Sequence, residues 1–197
     1  IANKNNLKNL VLDKKIKKNQ VLSIKSLPKF LNNLEGRNFI IDSKTCSIFY
    51  EKIIKSKFNI LKFDDPVYEL KSIKNSTEIK HMIEAHKQDG LALTRFIYWI
   101  KNINKKKITE VDAQNKLEKF RKLNKDYLFP SFDTIAGAGS NGAIVHYRAN
   151  KKTTKKIEQS DILLVDSGGQ YHYGTTDVTR TISFSKQNKF IKNAYTN

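Results

Sequence analysis

The chain has 197 residues, with 37 lysines and arginines against 19 aspartates and glutamates, a formal net charge of +18. Its 39% hydrophobic and 10% aromatic content is enough for a packed core, and no apolar run approaches the ~18 residues a membrane span needs, which excludes a membrane partner. The positive charge falls in short lysine clusters (Lys14-Lys15 with Lys17-Lys18, Lys105 to Lys107, Lys151-Lys152 with Lys155-Lys156), and arginine, the better reader of phosphates and bases, occurs only at 37, 95, 121, 148 and 180; nucleic-acid binding is therefore a minor reading.

The length fits one large domain or one and a half ordinary ones. The first residue is Ile1 and the only methionine is Met82, so a fragment or processed product is expected. Val21–Lys25 and Asn38–Asp42 read as short strands, the second followed by a helical stretch over 43–54. Phe58–Phe63 reads as another strand, stopped by Asp64-Asp65-Pro66. Alternating strand and helix signals predict a small α/β unit over 1–68. The lone Cys46 excludes an internal disulfide and, with no leader in view, fits a reducing cytoplasm.

A boundary is expected near Pro66–Asn75, giving a second region over 69–197. Asn75 with Glu78 three residues on is a capping box. Ile79, Met82, Ile83, His86, Leu93, Phe96, Ile97 and Ile100 recur at helical spacing. His81 and His86 on that helix read as structural. Thr109 caps a second helix running to about Asn124, with Ala113, Leu117 and Phe120 inward. Gly137-Ala-Gly139 lacks the Gly-Lys-Ser/Thr of a phosphate loop. His146, beside an apolar run, reads on its own as a core histidine.

The remaining motif is a hairpin. Leu163–Asp166 is a buried strand ending in a carboxylate, and Asp177–Phe184 is a β-branched strand beginning with one. A turn centred on Tyr171 and His172 places Asp166 opposite Asp177, with Cβ atoms about 4.5–5.5 Å apart. Two carboxylates that close need a shared proton, a basic partner or a cation, and two divalent ions about 3.5–4 Å apart fit the spacing. Thr179 and Thr181 share the face of Asp177, whereas Arg180 points away. The alternative is a plain hairpin with one aspartate in the turn and the other in a solvated pair.

Leu164 to Thr181 resembles, without a gap, the Leu-x-Asp-Ser-Gly-x-Gln-Tyr-x-x-Gly-Thr-Thr-Asp-x-Thr-Arg-Thr pattern of the Xaa-Pro aminopeptidases of the long, three-domain type. These are pita-bread metallopeptidases. Asn141 to Tyr147 resembles the family's Asn-Gly-Ala-Ile-x-His-Tyr, and Leu70 to Lys80 the start of its catalytic domain. The resemblance implies an α/β (α+β) chain: the C-terminal part of a creatinase-N-like domain over 1–68, then the N-terminal half of a pita-bread domain, truncated, over 69–197. It also implies that Asp166 and Asp177 are two of five metal ligands, with Asp177 bridging two divalent ions, manganese by family habit. His146 would line the substrate pocket, 20 residues before Asp166.

The implied reaction is hydrolysis of the peptide bond before a proline at position two. A histidine and two glutamates of the family's ligand set lie well downstream of the hairpin, so this chain alone is expected to be inactive and marginally stable. A complementary C-terminal chain or a homodimer would be its partner. Two further readings stand beside this one: a non-catalytic binding module or degraded-gene product on the same fold, and a basic nucleic-acid-binding protein. A creatinase-like amidinohydrolase, which works without metal on a related fold, is disfavoured by the retained aspartate pair.

Overall fold

A computed structural model describes residues 16–104 and 108–196. The lysines at 14–15 and 105–107 fall outside them. Two compact units divide the chain, Ile1–Ile73 and Lys74–Asn197.

In the first unit, Pro28 sits in the first turn of α1 (Leu27–Asn32), where its fixed φ suits a helix start and its missing N–H costs nothing. The strand expected over Val21–Lys25 is not formed. A 3-10 turn, Ile24–Ser26, leads straight into α1 instead, because the proline commits the segment to helical geometry.

β1 (Asn38–Ile41), α2 (Ile48–Lys55) and β2 (Asn59–Lys62) form a β-α-β unit with the strands parallel, Asn38 beside Asn59 and Ile41 beside Lys62. Parallel strands require such a crossover. Leu31, Ile41, Ile54 and Phe58 are the core, with Phe39 tilted against Phe58 at 5.4 Å. Asp65 caps a further helix, α3 (Pro66–Ser72), by accepting from the Val67 N–H at 2.9 Å. The Asp-Pro pair expected only to stop a strand thus also starts a helix.

The second unit begins with α4 (Ser76–Asn102), 27 residues long, whose capping box forms as the sequence predicts. Its inward stripe runs through Ala85, Asp89, Ala92, Leu93, Phe96 and Ile100. Ile79, Met82 and Ile83, expected on that stripe, are exposed, and so is His86, which bonds the Met82 carbonyl of its own helix. The buried face starts at Ala85 because that is where Tyr127 and Tyr171 pack on the helix.

Thr109 caps α5 (Glu110–Arg121) in a second capping box with Asp112, and the helix ends with both terminal residues, Glu110 and Arg121, buried. Two antiparallel sheets follow. One has the order β4 (Ile135–Ala138), β5 (Ile162–Ser167), β8 (Val178–Ser183); the other has β3 (Tyr127–Pro130), β6 (Gly169–Tyr171), β7 (Gly174–Thr175). A last helix, α6 (Lys189–Thr196), was not anticipated from the sequence.

The main core joins α4 and α5 to one face of the β4-β5-β8 sheet: Leu93, Phe96, Ile100, Ala113, Leu117, Ala136, Ala138, Leu163, Val165 and Ile182. Each large apolar side chain there contributes about 1.5–3 kcal/mol. Strand alternation sends Ile162, Leu164 and Asp166 to the other face, where all three are half-buried. That face carries the candidate site.

Candidate metal centre

The register of β5 on β8 puts Asp166 opposite Thr179, not opposite Asp177. The turn lies at His172 and Tyr173, one residue later than expected, since Tyr171 pairs with Gly174 across it. The reason is tertiary. Tyr171 is fully buried and its hydroxyl donates to Asp89 of α4 at 2.9 Å, so it cannot occupy a turn. Gly174 lies against Ala85, whose methyl a Cβ at 174 would meet at 2.8 Å.

Asp177 falls one residue before β8. Thr176 is buried, while Asp177 and Thr179 are both exposed, an alternation that keeps Asp177 on the Asp166 side of the sheet. The pair is therefore diagonal rather than directly opposed, a spacing of about 7–8 Å between Cα atoms in regular strands. The Thr179 hydroxyl donates to Asp166 Oδ1 at 2.7 Å. The Arg180 guanidinium turns away and donates to a backbone carbonyl. None of the ion pairs among the described residues involves Asp166 or Asp177.

Both carboxylates stand next to a rigid hydroxyl residue. Ser167, fully buried, accepts from Arg121 Nη2 at 3.0 Å, and Arg121 pairs through Nε with Asp89 at 2.6 Å. Thr176, also buried, accepts from the Gly169 N–H at 2.9 Å, and its carbonyl accepts from the Ser131 hydroxyl at 2.8 Å. Between them, Gly168 has no room for a side chain: a Cβ would overlap the Thr176 carbonyl and the Ser131 hydroxyl. The Ser-Gly and Thr-Asp steps of the motif thus lock the backbone on either side of the carboxylates. Sequence reasoning gave Asp89 and Arg121 no role. A signal for Asp89 was a charged residue at a helix position that the apolar stripe also occupies.

His146 lies on neither strand. Residues 139–143 form a 3-10 turn, and 144–147 continue from it as a loop. His146 is exposed and takes a left-handed backbone, φ +54°, uncommon for a residue with a Cβ. The 3-10 turn that leads into the loop touches the Asp166 face at Leu164, since a Cβ on Gly142 would rest 3.4 Å from that of Leu164. Next to His146, Tyr147 is buried and bonds Glu110 at 2.8 Å. Burial and that carboxylate push its phenol upward.

Two unneutralised carboxylates on one face, one of them oriented by a hydroxyl, fit a hard divalent cation, which prefers oxygen ligands. They supply only part of its coordination: no group of three or more His, Cys, Asp or Glu side chains positioned for a metal occurs among the described residues.

The family model for metallopeptidase family M24 matches residues 80–197. The chain belongs to that family. Its mixed helix and strand architecture is the pita-bread, creatinase-like fold. Over 172 residues the chain is 40% identical to Xaa-Pro aminopeptidase ApepP of Drosophila melanogaster, covering 86% of this chain and 28% of that protein. Over 168 residues it is 38% identical to a probable Xaa-Pro aminopeptidase P of Coccidioides posadasii, with 84% and 26% covered. The chain therefore spans about a quarter of the length of the curated M24 relatives it matches.

Among solved structures, the prolidase from Pyrococcus horikoshii OT3 superposes with a TM-score of 0.72 at 28% identity, covering 89% of this chain and 49% of that one. An X-prolyl aminopeptidase from Caenorhabditis elegans, described as a cytosolic enzyme with a di-nuclear active site, gives 0.62 at 30% identity, with 71% and 23% covered. No described helix of this M24 chain is long and apolar enough to cross a membrane.

Proposed function

We propose that this M24 chain is the part of an Xaa-Pro aminopeptidase that supplies two carboxylates of a dinuclear centre, and that the assembled enzyme releases the N-terminal residue of peptides with proline at position two. The observation that carries the reading is the hairpin: Asp166 and Asp177 lie on one side of it, in no ion pair among the described residues, with Thr179 orienting Asp166 at 2.7 Å. Relatives at about 40% identity named as Xaa-Pro aminopeptidases point the same way.

Asp166 and Asp177 would hold the metal ions, for which we infer manganese. Such a pair supplies Lewis acidity and a nucleophile available near neutral pH. Thr179 holds one carboxylate oxygen of Asp166. His146, on the exposed loop after the Gly139–Ala143 turn, would hydrogen-bond the scissile carbonyl as charge develops on it. The two regions we assign are 1–68, the end of a creatinase-N-like domain, and 69–197, half of the pita-bread domain. The remaining ligands, a histidine and two glutamates, would come from further sequence or from a partner chain. The lone Cys46 fits a reducing cytoplasm.

The test compares the 197-residue chain with the full-length product of its gene on a tripeptide with proline at position two, with and without manganese. The chain alone is expected to be inactive, and the full-length protein active. Asp166→Asn and Asp177→Asn are each expected to abolish turnover and lower bound metal. Full activity in both variants would overturn the reading.

A further inference from the structure

Glu110, which no sequence motif singled out, is the first residue of α5 and is fully buried. It faces no cation within ion-pair distance among the described residues. Its charge is met by four neutral donors. Oε1 accepts from the Ala138 N–H at 2.8 Å and from Asn141 Nδ2 at 2.9 Å. Oε2 accepts from the Tyr147 hydroxyl at 2.8 Å and from the Lys155 N–H at 2.9 Å. Asn141 Nδ2 also donates to the Tyr147 oxygen at 2.8 Å. A carboxylate is the one side chain that accepts on both sides without a donor in the way.

These donors are not scattered. Ala138 ends β4, Asn141 and Tyr147 lie inside the loop, and Lys155 stands beyond it. One carboxylate therefore ties together the whole segment from 138 to 155. Ile144, Val145 and His146 are exposed, so packing does little to hold them. Outside the bonds of the 3-10 turn itself, the loop's backbone bonds from Ile144 N to Asn141 O and from Tyr147 N to Ile144 O are long, at 3.2 Å each. The left-handed φ at His146 persists only if its surroundings over-determine it, and the anchored neighbour, Tyr147, is the surrounding that does so.

We propose that Glu110 is the positioning residue for His146, acting through Tyr147 and Asn141 to hold the loop that carries it. That His146 serves the reaction rests on the function proposed above; that Glu110 sets its position does not.

The test uses two variants. Glu110→Gln keeps the shape but turns an amide N–H toward a backbone N–H. Tyr147→Phe leaves Glu110 and its Asn141 bond in place and removes the link next to His146. In the 197-residue chain, amide hydrogen exchange is read for 139–149 and for β5 and β8. Loss of bonds to an ionised group should speed exchange in the loop by about tenfold or more, with β5 and β8 protected as in the wild type. Unchanged loop exchange in Tyr147→Phe overturns the proposal. So does a loss of protection in that variant as large in β5 and β8 as in the loop. Should Glu110→Gln fail to fold, Tyr147→Phe still decides.

In the full-length protein, either variant should lower kcat about tenfold or more, because a small misplacement of a reacting group is costly. KM and bound metal should stay unchanged. A fall in bound metal to match the fall in kcat would overturn the assignment, since it would place the effect at Asp166 and Asp177. A wild-type protein without Xaa-Pro hydrolysis would sink the proposed function, while the exchange result would still stand or fall by itself.

Discussion

Arg121 Nε lies 2.6 Å from Asp89 Oδ1 and Nη2 lies 3.1 Å from Oδ2, with both side chains buried. The pair joins the two long helices of the M24 unit, and the same Nη2 reaches Ser167, the residue after Asp166. Arg121 Nη1 has no partner among the described residues. Breaking a buried pair strands a charge, a cost of about 3–5 kcal/mol. Arg121→Met is therefore expected to lower stability by that amount in urea unfolding. Combining it with Asp89→Leu should recover part of the loss. A double variant as unstable as the sum of the two singles would show that the ion pair is not the source.

Thr179→Val removes the hydroxyl that orients Asp166 and keeps the side-chain shape. Partners of this kind tune metal affinity by about 10–100-fold. Calorimetric titration of the full-length protein should show weaker metal binding of that order. Thr179 is exposed, so the unfolding midpoint should hardly move.

His146→Gly separates backbone strain from chemistry. Glycine adopts a positive φ freely, and a non-glycine residue in that region costs about 1–3 kcal/mol. Stability is expected to rise or hold in urea unfolding while hydrolysis by the full-length protein falls. A drop in stability would mean that the imidazole is a packing element.

Burial, then the Asp89 charge and hydrogen bond, push the Tyr171 phenol upward; burial, then Glu118, does the same for Tyr127. In the unfolded chain both lose their protons near pH 10, whereas the folded state keeps them. The folded state thus binds more protons above that pH, and stability falls as pH rises. The contribution is complete below about pH 10 and is lost progressively above it. Thermal melts from pH 8 to 11.5 should show this alkaline loss, and Tyr171→Phe should blunt it.

The sequence determined what is local or carried by residue type. The Asn75 capping box, the Thr109 cap, the helices they start, the β1 and β2 strands, and a hairpin with a carboxylate on each arm were legible, because caps and strand patterns are written within a few neighbouring residues. The family was legible in the run from Leu164 to Thr181. Tertiary structure decided the rest. The hairpin register turned on Tyr171, drawn inward by Asp89 82 residues away, which moved the turn by one residue and made the aspartates diagonal neighbours. The apolar residues at 79, 82 and 83 share the helical period of the buried ones, and only contact distinguishes them. Glu110 and Arg121 look like ordinary charged residues at the ends of a surface helix. Their burial depends on donors and acceptors that the fold gathers from distant segments, and no local pattern encodes that meeting.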